Sequence, residues 1–287
     1  MPQNTRDIRR RIRSVQNTAQ ITKAMEMVAA AKLRRVQEAV QLSRPYLQRM
    51  RQMLAELSGS IRHVKHPLLS DRPVRRTGYL VITADRGLAG PYNAAVIRRT
   101  LQEIRRRDRN TYTIFAVGRK GRDFFRRHGY PVEFEVTGVA DSPSYAGVAP
   151  LAEEVVAAYA AERFDELYMV YNEFINAVSQ QTVVRKVLPL RGLADEESGA
   201  RPVQFIYEPD EETLLQSLLP RYAETLVYQA VLDAKASEHG ARMTAMGNAT
   251  DAATEMIGTL TLALNRARQA AITTQIAEVV GGAEALK

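Results

Sequence analysis

The chain of 287 residues contains no cysteine. That absence excludes a disulfide scaffold, a thiol nucleophile and a Cys-based zinc or iron–sulfur site. Only four histidines occur, His63, His66, His128 and His239, and no two of them have a strong metal-ligand spacing. Long apolar runs are missing too. The longest, Val155 to Ala161, has seven residues, against the roughly 20 that a membrane-spanning helix needs. The opening Met1-Pro2-Gln3-Asn4-Thr5 turns basic without an apolar segment, so no secretory leader is expected. With 45% apolar residues, the chain is predicted to be globular rather than disordered.

Proline is sparse at both ends. None lies between Pro2 and Pro45, and none follows Pro220, which leaves 67 residues free of it. Proline inside a helix costs about 3 kcal/mol, so such gaps permit long helices. Acidic residues are sparse in the first quarter. Residues 1–75 carry sixteen Lys/Arg against five Asp/Glu, a net of +11, while the remainder carries 24 against 27, a net of −3. A basic arm of this kind suits an acidic protein surface, nucleic acid or anionic lipid, or is simply a solvated helix face.

What is present divides into three parts: a helical arm over 1–60, an α/β domain over 76–204 and a second helical arm over 209–287. In the first arm, Asp7 suits a helix start. Ile8, Ile12, Val15 and Ala19 step by 4, 3 and 4, and Val28, Leu33, Val36 and Val40 continue the stripe. The period predicts one amphipathic helix over roughly 4 to 57, about 80 Å long, with Pro45 a candidate kink.

The middle alternates strand and helix patterns. Strands are predicted at 78–83, 111–117, 130–136, 166–171 and 181–190. Helices are predicted after Pro91 to about Arg107, from Gly118 to His128 and from Leu151 to Glu162. The alternation argues for a mostly parallel five-stranded sheet in a Rossmann-like domain. Asp85-Arg86-Gly87-Leu88-Ala89-Gly90 follows the first strand, where such folds hold phosphate, but it matches neither G-x-x-x-x-G-K-[ST] nor G-x-G-x-x-G. A tight turn with local hydrogen bonds from Asp85 and Arg86 is the expectation. Glu153-Glu154 reads as helix charge and Asp195-Glu196-Glu197 as a solvated loop. No catalytic, cofactor or metal set emerges.

In the second arm, Pro209-Asp210-Glu211-Glu212 opens a helix. Met243, Met246, Thr250, Ala253, Ile257, Leu260, Leu264, Ala267 and Ala271 step 3-4-3-4-3-4-3-4. That is the seam of a left-handed coiled coil, and the first arm is the long helix available to pair with it, antiparallel. Gly240, Gly247 and Gly258 each cost about 1 kcal/mol against Ala in a helix. Their tolerance implies tight packing, a surrounding sheath or a need for compliance.

Three separated strings carry a resemblance across essentially the whole chain. They are Ile8-Arg9-Arg10-Arg11-Ile12-Arg13-Ser14-Val15-Gln16-Asn17-Thr18 with Ile21-Thr22-Lys23-Ala24-Met25-Glu26-Met27-Val28; Asp85-Arg86-Gly87-Leu88-Ala89-Gly90; and Ser237-Glu238-His239-Gly240-Ala241-Arg242-Met243 with Asn265-Arg266-Ala267-Arg268-Gln269-Ala270-Ala271-Ile272-Thr273. In order and content they resemble the gamma-subunit family of F-type ATP synthases. Ala84, Ala89, Pro91-Tyr92, Gly240 and Gly247 depart from the family's usual residues, and the cysteine-bearing insertion of chloroplast members is absent.

The resemblance implies a non-catalytic rotor shaft, one copy per complex. The paired arms would stand inside a ring of three alpha and three beta subunits, and the α/β domain would hold epsilon and sit on the c-ring, with delta, a and b in the same complex. It implies no cofactor, and a peripheral place on the cytoplasmic face of a bacterial cell membrane. It also implies contact with alpha and beta, or support of that contact, at Lys23, Met25, Arg242, Gln269 and Thr273. Met25 and Thr273 equally suit plain seam filling. A basic coiled-coil nucleic-acid-binding protein is the alternative reading of the arm.

Overall fold

The computed structural model describes residues 5–60, 66–177, 179–190 and 210–284. The expected acidic loop Asp195-Glu196-Glu197 lies outside the described residues. So do the expected domain limits at 204 and 209, the first four residues and the last three. The elements in chain order are α1 (Thr5–Ser60), β1 (Thr77–Ile82), α2 (Tyr92–Ile104), a 3-10 turn (Arg109–Thr111) and β2 (Tyr112–Val117). Then come α3 (Arg119–Arg127), β3 (Val132–Val136), α4 (Tyr145–Ala160), β4 (Glu166–Phe174), β5 (Gln180–Leu188) and α5 (Glu211–Glu284). They form two compact units, one of residues 29–242 and one of residues 1–28 with 243–287. These units cut across both long helices.

The larger unit is built on a sheet of order β3-β2-β1-β4-β5. β1 pairs in parallel with β2 and β4, β2 pairs in parallel with β3, and β5 returns antiparallel to β4. β1 and β2 are buried along their whole length, which is why they read as continuous apolar runs rather than alternating ones. Tyr79, Val81, Ile114 and Ala116 face a core made with Val96 and Ile104 of α2 and Phe125 of α3. Leu80, Ile82, Phe115 and Val117 face the other way, onto Val155 and Tyr159 of α4 and onto α1 (Leu54, Leu57) and α5 (Leu215, Leu219, Val227, Val231). Each fully buried Leu, Val or Phe contributes about 1.5–3 kcal/mol. The lower parts of both long helices are therefore fixed to one face of the sheet. Ser43 of α1 and Gln229 of α5 also hydrogen-bond across this unit, at 2.7 Å.

α4 starts six residues before its expected beginning at Leu151. Ser144 caps it, accepting from the Gly147 N–H, and Pro150 lies inside it. Pro45 and Pro220 likewise lie inside continuous helices. Proline costs a helix one hydrogen bond locally, and packing against the sheet offsets that cost.

In the smaller unit, Thr22 and Thr250 share a hydrogen bond of 2.7 Å, and Gly247 lies beside the Glu26 carboxylate. As one residue number rises its partner's falls, so the pair is antiparallel. The heptad positions Met243 to Ala267 are all buried or half-buried, while most of their flanks are exposed; the ninth expected position, Ala271, is exposed, because it lies beyond the residue level with Thr5, where the described part of α1 begins. Thr5, where α1 begins, lies 17 residues before Thr22, level with the residue 17 after Thr250, which is Ala267. From Arg268 to Gly282 α5 is exposed all round.

Candidate functional site

Two regions carry polar or apolar groups that folding alone does not require. One is the turn at the carboxyl end of β1, in the larger unit. The other is the outer surface of the helix pair, in the smaller unit.

At the turn, the sequence leads to an expectation of local hydrogen bonds, and the structure corrects it. The Asp85 carboxylate accepts from the Arg119 N–H with Oδ1 and from the Gly138 N–H with Oδ2, each at 2.9 Å. One side chain thus ties the end of β1 to the start of α3 and to the segment after β3. The negative charge at the start of α3, where a bound phosphate would sit, is supplied by Asp85 itself. Thr83 adds a second tie: its hydroxyl donates to the Val117 carbonyl and accepts from the Gly121 N–H, both at 2.9 Å. Gly118 has φ +89°, and a Cβ there would stand 2.1 Å from the Thr83 carbonyl oxygen. Leu88 projects from the tip with φ 61° and 62% exposure.

The turn is fastened to α5. The Tyr92 hydroxyl donates to the Ala234 carbonyl at 2.9 Å, and Ala84, Ala89, Tyr92 and Ala241 form a small apolar contact. The departures Ala84, Ala89 and Pro91-Tyr92 thereby gain a physical role, since small residues let the turn approach the helix. Arg242 donates to the Gly87 carbonyl at 3.3 Å and to the Glu238 carboxylate at 2.8 Å. Glu238, 3% exposed, also meets the Lys235 ammonium at 3.1 Å. Burial alone would raise the Glu238 carboxyl, but the Lys235 and Arg242 charges offset it and hold it below its ordinary value. Burial likewise lowers His239. A neutral ring with its proton on Nε2 fits both of its contacts, donating to the Asp141 carbonyl at 3.3 Å and accepting from Arg242 at 3.4 Å. Lys32 of α1 pairs with the Asp141 carboxylate at 2.7 Å. Gly240 passes close to the β4–β5 hairpin: a Cβ would come 3.2 Å from the Ala177 carbonyl oxygen.

The outer surface of the helix pair is unusually apolar for solvent. Ile21, Met27 and Val28 of α1, and Met256, Leu262, Ile272, Ile276, Val279 and Val280 of α5, are all exposed, Val279 at 72%. Apolar exposure concentrated on a slender pair marks a surface that another protein covers. Lys23 is exposed and pairs with Glu26 at 3.2 Å, and Met25 beside it is half-buried. Gln269 and Thr273 are exposed on the α5 stretch beyond Ala267, where the Thr273 hydroxyl donates to the Gln269 carbonyl at 3.0 Å. Arg242 belongs to the larger unit, its side chain 12% exposed and engaged with Glu238 and Gly87. The sequence did not single out Tyr92, Lys235, Glu238 or His239 individually. The signal available was a cluster of charges on an otherwise apolar part of α5.

The model of a family described as ATP synthase matches residues 4–286. The ATP synthase gamma chain of Brevibacillus brevis is 51% identical over 287 residues, 99% of each chain. Among solved structures, the central stalk and c-ring of Tetrahymena thermophila mitochondrial ATP synthase has a chain that matches with TM-score 0.61 and 25% identity, covering 80% of this chain and 99% of that one. A chain of the Euglena gracilis mitochondrial ATP synthase rotor matches with TM-score 0.65 and 20% identity, covering 93% and 98%.

Proposed function

The chain belongs to the ATP synthase gamma-chain family, and from that premise we propose that it is the central rotor shaft of a bacterial F-type ATP synthase. It turns inside a ring of three alpha and three beta subunits, one copy per complex, and couples proton-driven rotation of the c-ring to conformational changes at the catalytic beta sites that make ATP. Epsilon binds the α/β domain, and delta, a and b complete the assembly on the cytoplasmic face of the cell membrane. The chain performs no chemistry itself. Its working parts are the arms 1–60 and 209–287 and the domain 76–204.

The observation that carries this reading is the stretch of α5 after Ala267, exposed all round and apolar along Ile272, Ile276, Val279 and Val280. A free helix of that kind is a poor solution species. Inside a ring of apolar loops it is a bearing, because apolar contacts have no preferred direction and let the shaft turn. Torque enters through the α/β domain, where the sheet face, Tyr92 and the Arg242–Gly87 contact fix α5. On the shaft, exposed Lys23 meets an acidic lever of beta and Met25 lies beside it. Gln269 and Thr273 touch the ring from α5, and Arg242 supports that contact. The basic arm needs no nucleic acid to account for it, since acidic levers suffice.

Reconstitution tests the reading. The chain is mixed with alpha and beta subunits from the same source, and the complex is isolated by size. One copy per three alpha and three beta, with sustained ATP hydrolysis that this chain alone lacks, is the expected result. Failure to assemble under conditions where the Brevibacillus brevis chain does so would overturn it.

A further inference from the structure

The opposite end of the sheet from the Asp85 turn carries a cleft of about 460 Å³. Arg98 and Gln102 of α2, Arg105, Arg107 and Arg109 just after it, Tyr112 at the start of β2 and Tyr130 before β3 are the polar groups that define it, and no carboxylate lines it. Two of the guanidinium groups are preset. Arg107 donates to the Thr77 hydroxyl at 2.6 Å and stands 3.8 Å from Glu166. Arg109 donates to the Gly129 carbonyl at 2.9 Å and lies over the Tyr130 ring. Arg98 and Arg105 are exposed, and neither has an ion pair among the described residues. Of the nearby carboxylates, Glu103 is engaged by Arg99 at 2.7 Å and Glu166 is shared between Lys186 at 2.8 Å and Arg107, while Asp108 follows Arg107 in the chain and does not line the cleft.

Arginine near the end of α2 complements the helix dipole, and that accounts for Arg105. It does not account for Arg98, two turns earlier, or for Arg109, beyond the helix. Arg98, Arg105 and Arg109 put three like charges around one cleft with no ion pair to offset them among the described residues, and Arg107, paired with Glu166, and Arg109 are held there by hydrogen bonds that fix their direction. Guanidinium forks match phosphate oxygens in pairs, and tyrosine hydroxyls supply further donors. We propose that this cleft binds an anion carrying two phosphoryl groups, with Arg98 and Arg105 closing on it and Arg107 and Arg109 forming the preset floor. That chemistry is shared by soluble diphosphates and by the headgroup of a diphosphatidyl lipid.

The test uses the full chain, with pyrophosphate in titration calorimetry and, separately, flotation with phosphatidylcholine vesicles made with and without cardiolipin. Arg98→Gln/Arg105→Gln removes two exposed charges and leaves the fold intact, as circular dichroism would report. Arg34→Gln/Arg35→Gln on α1 is the charge-matched control. Binding to either probe that weakens by about tenfold or more in the cleft variant, and stays within about twofold in the control, supports the site. Which probe binds identifies the source. Binding to neither probe, or equal weakening in both variants, overturns it.

Discussion

Replacing Glu238 by Gln perturbs the anchorage of α5 at its most consequential point. The carboxylate is 3% exposed and is shared between Lys235 at 3.1 Å and Arg242 at 2.8 Å. Glutamine keeps the shape and one acceptor oxygen but removes the charge, leaving two cations with no anion between them. Removing one partner of a buried ion pair costs about 3–5 kcal/mol. The retained amide oxygen places this variant near the lower figure. For a unit of this size that is a fall in Tm of roughly 6–12 °C. The pH dependence sharpens the test. Glu238 titrates lower in the folded chain than unfolded, so its contribution is complete above its unfolded value, about 4.3, and is lost as pH falls through the folded value. Urea unfolding of parent and variant at a series of pH values reads the difference directly. The gap should be widest near neutrality and should close in acid, where the parent's carboxyl is also protonated. A gap below about 1 kcal/mol at neutral pH, or one that does not narrow in acid, would refute the account of this triad.

Two further outcomes follow from groups in the two units. Gly258→Ala fills open space and Gly240→Ala meets the Ala177 carbonyl oxygen at 3.2 Å. Thermal unfolding should therefore show the first stabilising by about 0.5–1 kcal/mol and the second neutral or destabilising, and equal gains at both sites would contradict the packing argument. Asp233, in the larger unit, is pushed up to about 6, by burial first, with the Arg44 charge opposing. A carboxyl raised on folding favours the folded state below its unfolded value and loses that advantage as pH rises through about 6. Asp233→Asn should thus be more stable than the parent at neutral pH by about 3 kcal/mol and little better at pH 4, as denaturant midpoints would reveal.

Periodicity made the long elements legible. The 3-4 spacing from Met243 to Ala267 follows the buried side of α5, because a two-helix seam leaves no other way to hide those side chains. The central strands β1 and β2 were legible because both of their faces are covered, so apolar runs have nowhere else to go. Helix starts were less so. Pro150 argues against a helix locally, yet α4 runs through it, its start set by Ser144 six residues earlier. The Asp85 clamp was illegible for a different reason. Its partners Arg119 and Gly138 lie 34 and 53 residues away, and backbone N–H donors leave no mark in a sequence. Gly240 and Gly258 look alike as letters, and only their neighbours distinguish a close approach from empty space.

Among the described residues, α1 begins at Thr5, level with Ala267, while α5 continues to Glu284. Two helices side by side form a beam that is stiff in the plane containing both axes and softer across it. A lone helix is softer still, and equally so in every direction. Stiffness along the smaller unit therefore drops abruptly near Ala267, and thermal bending concentrates in the last stretch. A strained rod stores elastic energy where it is softest, so this terminal stretch behaves as a spring in series with a splinted stem.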